Sequence, residues 1–138
     1  MKKILALTFA LVLCLSMFVA CGINGDKAAE NLKAEGYEVE EITDATMLEA
    51  MAAMIKKAGV ELEGKIVKTI TAEKDDEYIN IMVFEKSSDA KAYFEKLDEQ
   101  YDKIMDAYKE AGQEVDYQWG RDGAVVYEGT KAAIKAAK

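Results

Sequence analysis

After residue 26 the hydrophobic positions of the chain follow two different periods. In 44–58 and 87–111 apolar residues recur every three or four positions, which places them along one face of a helix. In 60–72 and 115–119 apolar residues alternate with polar ones, the period of a strand with one side exposed to water. The predicted order is helix 27–35, strand 37–42, helix 44–58, strand 60–72 with a bulge near Gly64, strand 78–85, helix 87–111, strand 124–128 and a short helix after Thr130.

This order predicts an α+β fold with an antiparallel sheet. The central elements run β-α-β-β-α-β, the split βαβ arrangement of ferredoxin-like folds, with a short helix at each end. In that arrangement both long helices cover one face of the sheet. The opposite face is left for the terminal helices, for a ligand or protein partner, or for a second copy of the chain in a homodimer.

The segment before the last strand provides the best binding candidates. Val115, Tyr117 and Trp119 alternate with polar residues, and a turn is predicted at 120–123. Trp and Arg are favoured at binding hot spots, so Trp119 beside Arg121, together with Tyr117, forms a candidate platform for a sugar or a peptide. The alternative interpretation places these aromatic side chains in the core or at its edge.

The charge of the chain restricts its partners. The 138 residues include 26 acidic and 18 basic ones, and two of the basic residues precede Cys21. The part from Cys21 onward therefore has 16 basic against 26 acidic residues, a net charge of −10. Such a charge repels phosphate groups, so nucleic acid is excluded as a partner.

The first 21 residues have the layout of a secretory signal, with a basic end, an apolar run and small residues at the close. The close, Phe18-Val19-Ala20-Cys21, resembles the lipobox of bacterial prolipoproteins, and the resemblance covers this segment only. It implies that Cys21 becomes the first residue of the mature protein and carries fatty acyl chains such as palmitate. Two acyl chains anchor a protein stably to a membrane, whereas one does not.

The resemblance also implies a domain organisation and a location. Residues 1–20 are expected to be the signal peptide, 21–25 the lipidated cysteine and a short tether, and 26–138 a single α+β domain. The domain is expected at the cell membrane, held by lipid on the extracytoplasmic face, similar to many small lipoproteins of bacterial envelopes. We expect it to act as a binding or interaction module for an envelope protein, a peptide or a small ligand.

The residue types present argue against an enzyme. Histidine is absent, which removes the commonest general base and the commonest zinc ligand. The glycine motifs of nucleotide-binding proteins and hydrolases are absent after Cys21. We therefore predict no catalytic residue, no resident metal and no cofactor. With one cysteine left after residue 20, an intramolecular disulfide is excluded too.

A methionine stripe keeps other functions open. Met47, Met51 and Met54 lie at i, i+4 and i+7 of a predicted helix, and thioether sulfur is a preferred ligand of Cu(I). Leu48 and Ile55 share the stripe, so we interpret it as an ordinary buried face. Two alternatives to a binding module remain: a metal-handling protein or enzyme that uses carboxylates with Met or Tyr, and a self-associating structural lipoprotein of the envelope.

Overall fold

A computed structural model describes residues 22–138. The predicted signal peptide, 1–20, and Cys21 lie outside the described residues. Four helices and five strands follow one another along the chain: α1 (Ala28–Ala34), β1 (Glu38–Ile42), α2 (Ala45–Lys57), β2 (Ile66–Lys74), β3 (Glu77–Phe84), α3 (Ser87–Glu110), β4 (Gln118–Asp122), β5 (Val125–Gly129) and α4 (Lys131–Ala137).

The five strands form one antiparallel sheet in the order β1-β2-β3-β5-β4. The predicted α+β class with an antiparallel sheet is confirmed. The ferredoxin-like core is not, because β1 and β2, which α2 connects, lie side by side instead of flanking a third strand. Only β3 and β4, which α3 connects, have another strand between them.

A fifth strand, β4, lies at the edge of the sheet, in part where the sequence predicted a turn. Residues 120–123 were predicted as a turn, but Arg121 and Asp122 belong to β4 and pair with Val126 and Val125. The turn of this last hairpin lies at Gly123, whose φ is +60°. The strand predicted from the alternation that begins at Val115 starts later, at Gln118, and it adds a fifth strand to the sheet.

A bulge decides which core each residue of β2 joins. The strand begins at Ile66 instead of residue 60, and its pairing with β3 shifts between Ile66 and Lys68. The extra residue, Val67, turns Ile66 to one face of the sheet while Ile70 packs on the other. The bulge therefore lies three residues after Gly64, where the sequence predicted it.

Helices cover both faces of the sheet. The terminal helices α1 and α4 pack on one face, where Leu32 and Ile134 contact a core that includes Ile70 and Ile79. The longer helices α2 and α3 cover the other face through Leu48 and Leu97. The face that the sequence left open is therefore occupied by the chain's own terminal helices.

Residues 60–65, predicted as the start of a strand, are held by a buried carboxylate. Asp89, in the first turn of α3, is 2% exposed. Its two oxygens accept hydrogen bonds from the backbone N–H groups of Glu63, at 2.9 Å, and Gly64, at 2.8 Å. These two bonds replace the strand pairing that the segment lacks, and they fix the loop on the end of α3.

The segment predicted as a tether packs against the domain. Ile23 is 3% exposed, and its backbone N–H donates to Asp122 Oδ2 at 2.7 Å. A Cβ atom on Gly25 would stand 2.7 Å from Val83, so the backbone approaches β3 closely there. Residues 22–25 therefore lie on the end of the sheet that carries the β4–β5 turn.

None of the helices within residues 22–138 is long and apolar enough to cross a membrane.

Candidate functional site: a groove between two helices

A groove lies between α2 and α3, over the middle of the sheet. Helix α2 packs mainly against β2, and α3 packs against β3, β4 and β5. The space between them is a cavity of about 210 Å³. Its lining includes Ile42, Met51, Thr69, Thr71, Asn80, Met82, Tyr93, Leu97, Val126 and Glu128.

The register of the strands builds the floor of this groove. One row of paired residues crosses the sheet through Thr71, Asn80, Glu128 and Trp119. The neighbouring row carries Thr69, Met82 and Val126. The residues of the first row are polar or amphipathic, so the floor has an apolar side and a side that can form hydrogen bonds.

Glu128 is the centre of a polar cluster at one end of the groove. Its Oε2 accepts hydrogen bonds from the hydroxyl groups of Tyr101, at 2.5 Å, and Tyr117, at 2.7 Å. Its Oε1 lies 3.4 Å from Asn80 Nδ2, a long contact for a hydrogen bond. The two hydroxyl oxygens are also 2.7 Å apart. Two phenolic hydrogens serve three contacts, two with Oε2 and one between the hydroxyl oxygens, so at any moment one contact lacks a hydrogen.

Aromatic rings surround this carboxylate. The ring centroid of Tyr101 lies 4.9 Å from that of Tyr117 and 5.1 Å from that of Trp119. Trp119 Nε1 donates to Asp98 Oδ1 on α3 at 2.8 Å, which satisfies the indole N–H. Helix α3 and the hairpin are thus fixed to each other by rings and by hydrogen bonds at the same place.

The environment keeps the tyrosine hydroxyls protonated. Burial, followed by the hydrogen bond to Glu128, raises the pKa of Tyr101 to about 12. Burial, followed by the hydrogen bond to Tyr101, raises the pKa of Tyr117 as well. Burial also raises the pKa of Tyr93, on the wall of the groove. At neutral pH these phenols are donors, and they add no negative charge to that of the carboxylate.

Two of the three binding candidates from the sequence come together in this cluster. Tyr117 and Trp119 have ring centroids 6.3 Å apart. Arg121 lies in the next row of β4, opposite Val126, and its Nη1 donates to the carbonyl oxygen of Gly123 at 2.9 Å. The guanidinium group therefore caps the hairpin turn, and within residues 22–138 it forms no hydrogen bond with the tyrosine hydroxyls.

Sequence reasoning missed Glu128 and Asn80. Both lie in strands next to apolar residues, and a polar residue at such a position could have marked them as candidates for a site. Their meeting depends on the pairing of β3 with β5, which a single sequence does not reveal. Tyr101 lies within the predicted helix 87–111 and packs against the core, but its hydroxyl reaches the carboxylate.

The methionine stripe is not the buried face that we predicted. Met51 lines the groove, whereas Met47 is 50% exposed and Met54 is 71% exposed. Helix α2 packs mainly against β2, and Leu48 and Ile55 form its contact with the core. Within residues 22–138, no group of three or more acidic or cysteine side chains could hold a metal ion.

Comparison of the chain with family models, with curated proteins and with solved structures gives no match.

Proposed function

We propose that the protein is an extracytoplasmic lipoprotein, anchored to the cell membrane through Cys21, whose domain binds a small ligand in the groove between α2 and α3. The observation that carries the binding function is the cavity of about 210 Å³ that combines apolar walls with a carboxylate at one end. Sites for small molecules typically have this composition, an apolar lining with a few polar groups that fix orientation.

The geometry of the N-terminal segment is compatible with this anchor. Ile23 is bound to Asp122 at the turn end of the last hairpin, so a lipid on Cys21 would hold that end of the sheet near the bilayer. Glu128 pairs with Trp119, three residues before Asp122 along β4, a separation of about 10 Å. The acidic end of the groove would then lie on the side away from the lipid.

A pair of cysteine variants tests the anchor. In cells grown with a clickable palmitate analogue, the wild type and a Cys14→Ser variant should be labelled, because Cys14 lies within the apolar run and precedes the predicted cleavage site. A Cys21→Ser variant should remain unlabelled and should keep residues 1–20, as read by mass spectrometry. Equal labelling of the Cys21→Ser variant would refute the lipoprotein assignment. It would not decide whether the groove binds a ligand, which the next experiment tests.

The groove is tested by filling it. A Thr71→Trp substitution places a large side chain on the floor, whereas Val67→Trp places one at the bulge, where the native side chain is 47% exposed. Binding of 1-pentanol, a probe small enough for the cavity, should be lost in the first variant and kept in the second. Equal binding by both variants would refute the groove as the site.

A further inference from the structure

The charge of Glu128 has no cationic partner within the described chain. None of the ion pairs formed among residues 22–138 includes Glu128. The nearest cationic residue along the hairpin, Arg121, donates to the backbone of Gly123. The carboxylate is instead stabilised by neutral hydroxyl donors, which leave its negative charge in place.

The two carboxylate oxygens are not equally occupied. Oε2 has two tyrosine hydroxyls within 2.7 Å, whereas Oε1 has only the amide of Asn80 at 3.4 Å. A carboxylate oxygen can accept two hydrogen bonds. Oε1 therefore has accepting capacity left, and Glu128 belongs to the lining of the groove.

The surroundings favour a cation at this position. Tyr93 lies in the wall of the groove, and the ring of Tyr101 adjoins Glu128. The faces of aromatic rings attract ammonium groups. The acidic excess of the whole chain, 26 acidic against 18 basic residues, further draws cations and repels anions.

The rest of the cavity suits a short aliphatic chain. Met51, Met82 and Leu97 line it from α2, β3 and α3. A volume of about 210 Å³ corresponds to about seven groups the size of water, at roughly 30 Å³ each. The flexible methionine side chains can adapt to an aliphatic ligand.

We propose that the groove binds a small primary ammonium ion with a short aliphatic chain, and that Glu128 is its counter-ion. This inference rests on the proposed function, since it names the ligand class of the same groove. The ammonium group donates to Oε1, and the chain lies against the methionine and leucine side chains.

Three probes of equal chain length test the ligand class: pentylammonium, 1-pentanol and pentanoate. Full-length protein in lipid nanodiscs is titrated by calorimetry, and empty nanodiscs correct for probe that dissolves in lipid. We expect pentylammonium to bind at least tenfold more tightly than pentanol, and pentanoate to show no binding. This comparison needs no variant, so it stands even if a substitution at Glu128 impairs folding.

Matched charge variants test the counter-ion. Glu128→Gln should lower the affinity for pentylammonium about tenfold, so that the preference for the ammonium ion over pentanol disappears. Glu40→Gln removes the same charge from an exposed position on β1, in the same row of the sheet, and should keep the preference.

The failures of the two proposals are distinguishable. Equal affinity for the ammonium ion and the alcohol in the wild type, or a preference that survives in Glu128→Gln, would overturn the assignment of a cationic ligand while leaving a ligand groove in place. Absence of binding by all three probes would overturn the groove itself.

Discussion

Removal of one hydroxyl group tests the polar cluster around Glu128. In a Tyr101→Phe variant the ring stays in the aromatic cluster, and only the hydroxyl group is lost, which lies 2.5 Å from Glu128 Oε2 and 2.7 Å from the hydroxyl oxygen of Tyr117. A hydrogen bond to a charged group contributes roughly 1.5 to 3 kcal/mol. Because the site is partly open to water and Tyr117 can still donate, we expect the lower end, a loss of about 1.5 kcal/mol in the free energy of unfolding.

Urea denaturation measures this loss conveniently. The chain has a single tryptophan, and its ring centroid lies 5.1 Å from that of Tyr101, so its fluorescence reports on the site itself. With a denaturant slope of about 1.5 kcal/mol per molar urea, the midpoint should fall by about 1 M. The slope should stay the same, because the substitution does not change the surface exposed on unfolding.

Tyr108→Phe is the matched control on the same helix. Tyr108 is 40% exposed, and its hydroxyl forms no hydrogen bond with the other residues of the 22–138 range. Its removal should change stability by less than about 0.5 kcal/mol. If Tyr101→Phe and Tyr108→Phe shift the midpoint equally, the carboxylate does not depend on its tyrosine donors, and the reasoning about the cluster is wrong.

Three further predictions concern the fold and its ionisation. Asp89→Asn should lower the free energy of unfolding by about 2 kcal/mol, measured in urea, because an amide keeps only one of the two acceptor oxygens that bind the backbone of Glu63 and Gly64. The exposed Asp102→Asn should leave stability unchanged. Equal effects of the two substitutions would contradict the role of Asp89 in holding this loop. Gly129→Ala should cost about 3 kcal/mol by the same measurement, since its Cβ would lie 2.2 Å from a backbone oxygen of β3; a stable variant would contradict that packing. Tyr37 and Tyr101 have pKa values raised from 10.0 to about 12. The stability that these two protonated phenols contribute is therefore present below pH 10 and is lost as pH rises towards 12. Phenolate absorbance that rises fully near pH 10 in the folded protein would contradict both shifts.

Local signals in the sequence predicted most of the helices and strands. The helix predicted over 44–58 is α2, and Asp44 at its start caps it, with its side chain accepting from the backbone N–H of Met47 at 3.0 Å. The hairpin of β2 and β3 was also predicted, because the polar residues 74–77 separate two alternating stretches. These features depend on residues close together in the chain.

The strand order and the site depend on distant residues. The split βαβ arrangement failed at β1, which pairs with β2 across a connection that contains α2. Glu128 and Tyr101 are separated by 27 positions, and no local pattern links a helix residue to a strand residue at that distance. Trp119 and Tyr117 were chosen as candidates because their residue types are common in binding sites, and their partners in the structure could not be predicted from the sequence.

Methyl NMR of the full chain in nanodiscs, labelled at the methionine methyl groups, tests the central claim most directly. Met51 and Met82 line the groove, whereas Met47 and Met54 on α2 are exposed and do not line it. Titration with pentylammonium should shift the signals of the first pair and leave those of the second pair in place. Uniform small shifts, or shifts confined to Met47 and Met54, would contradict a ligand site between α2 and α3.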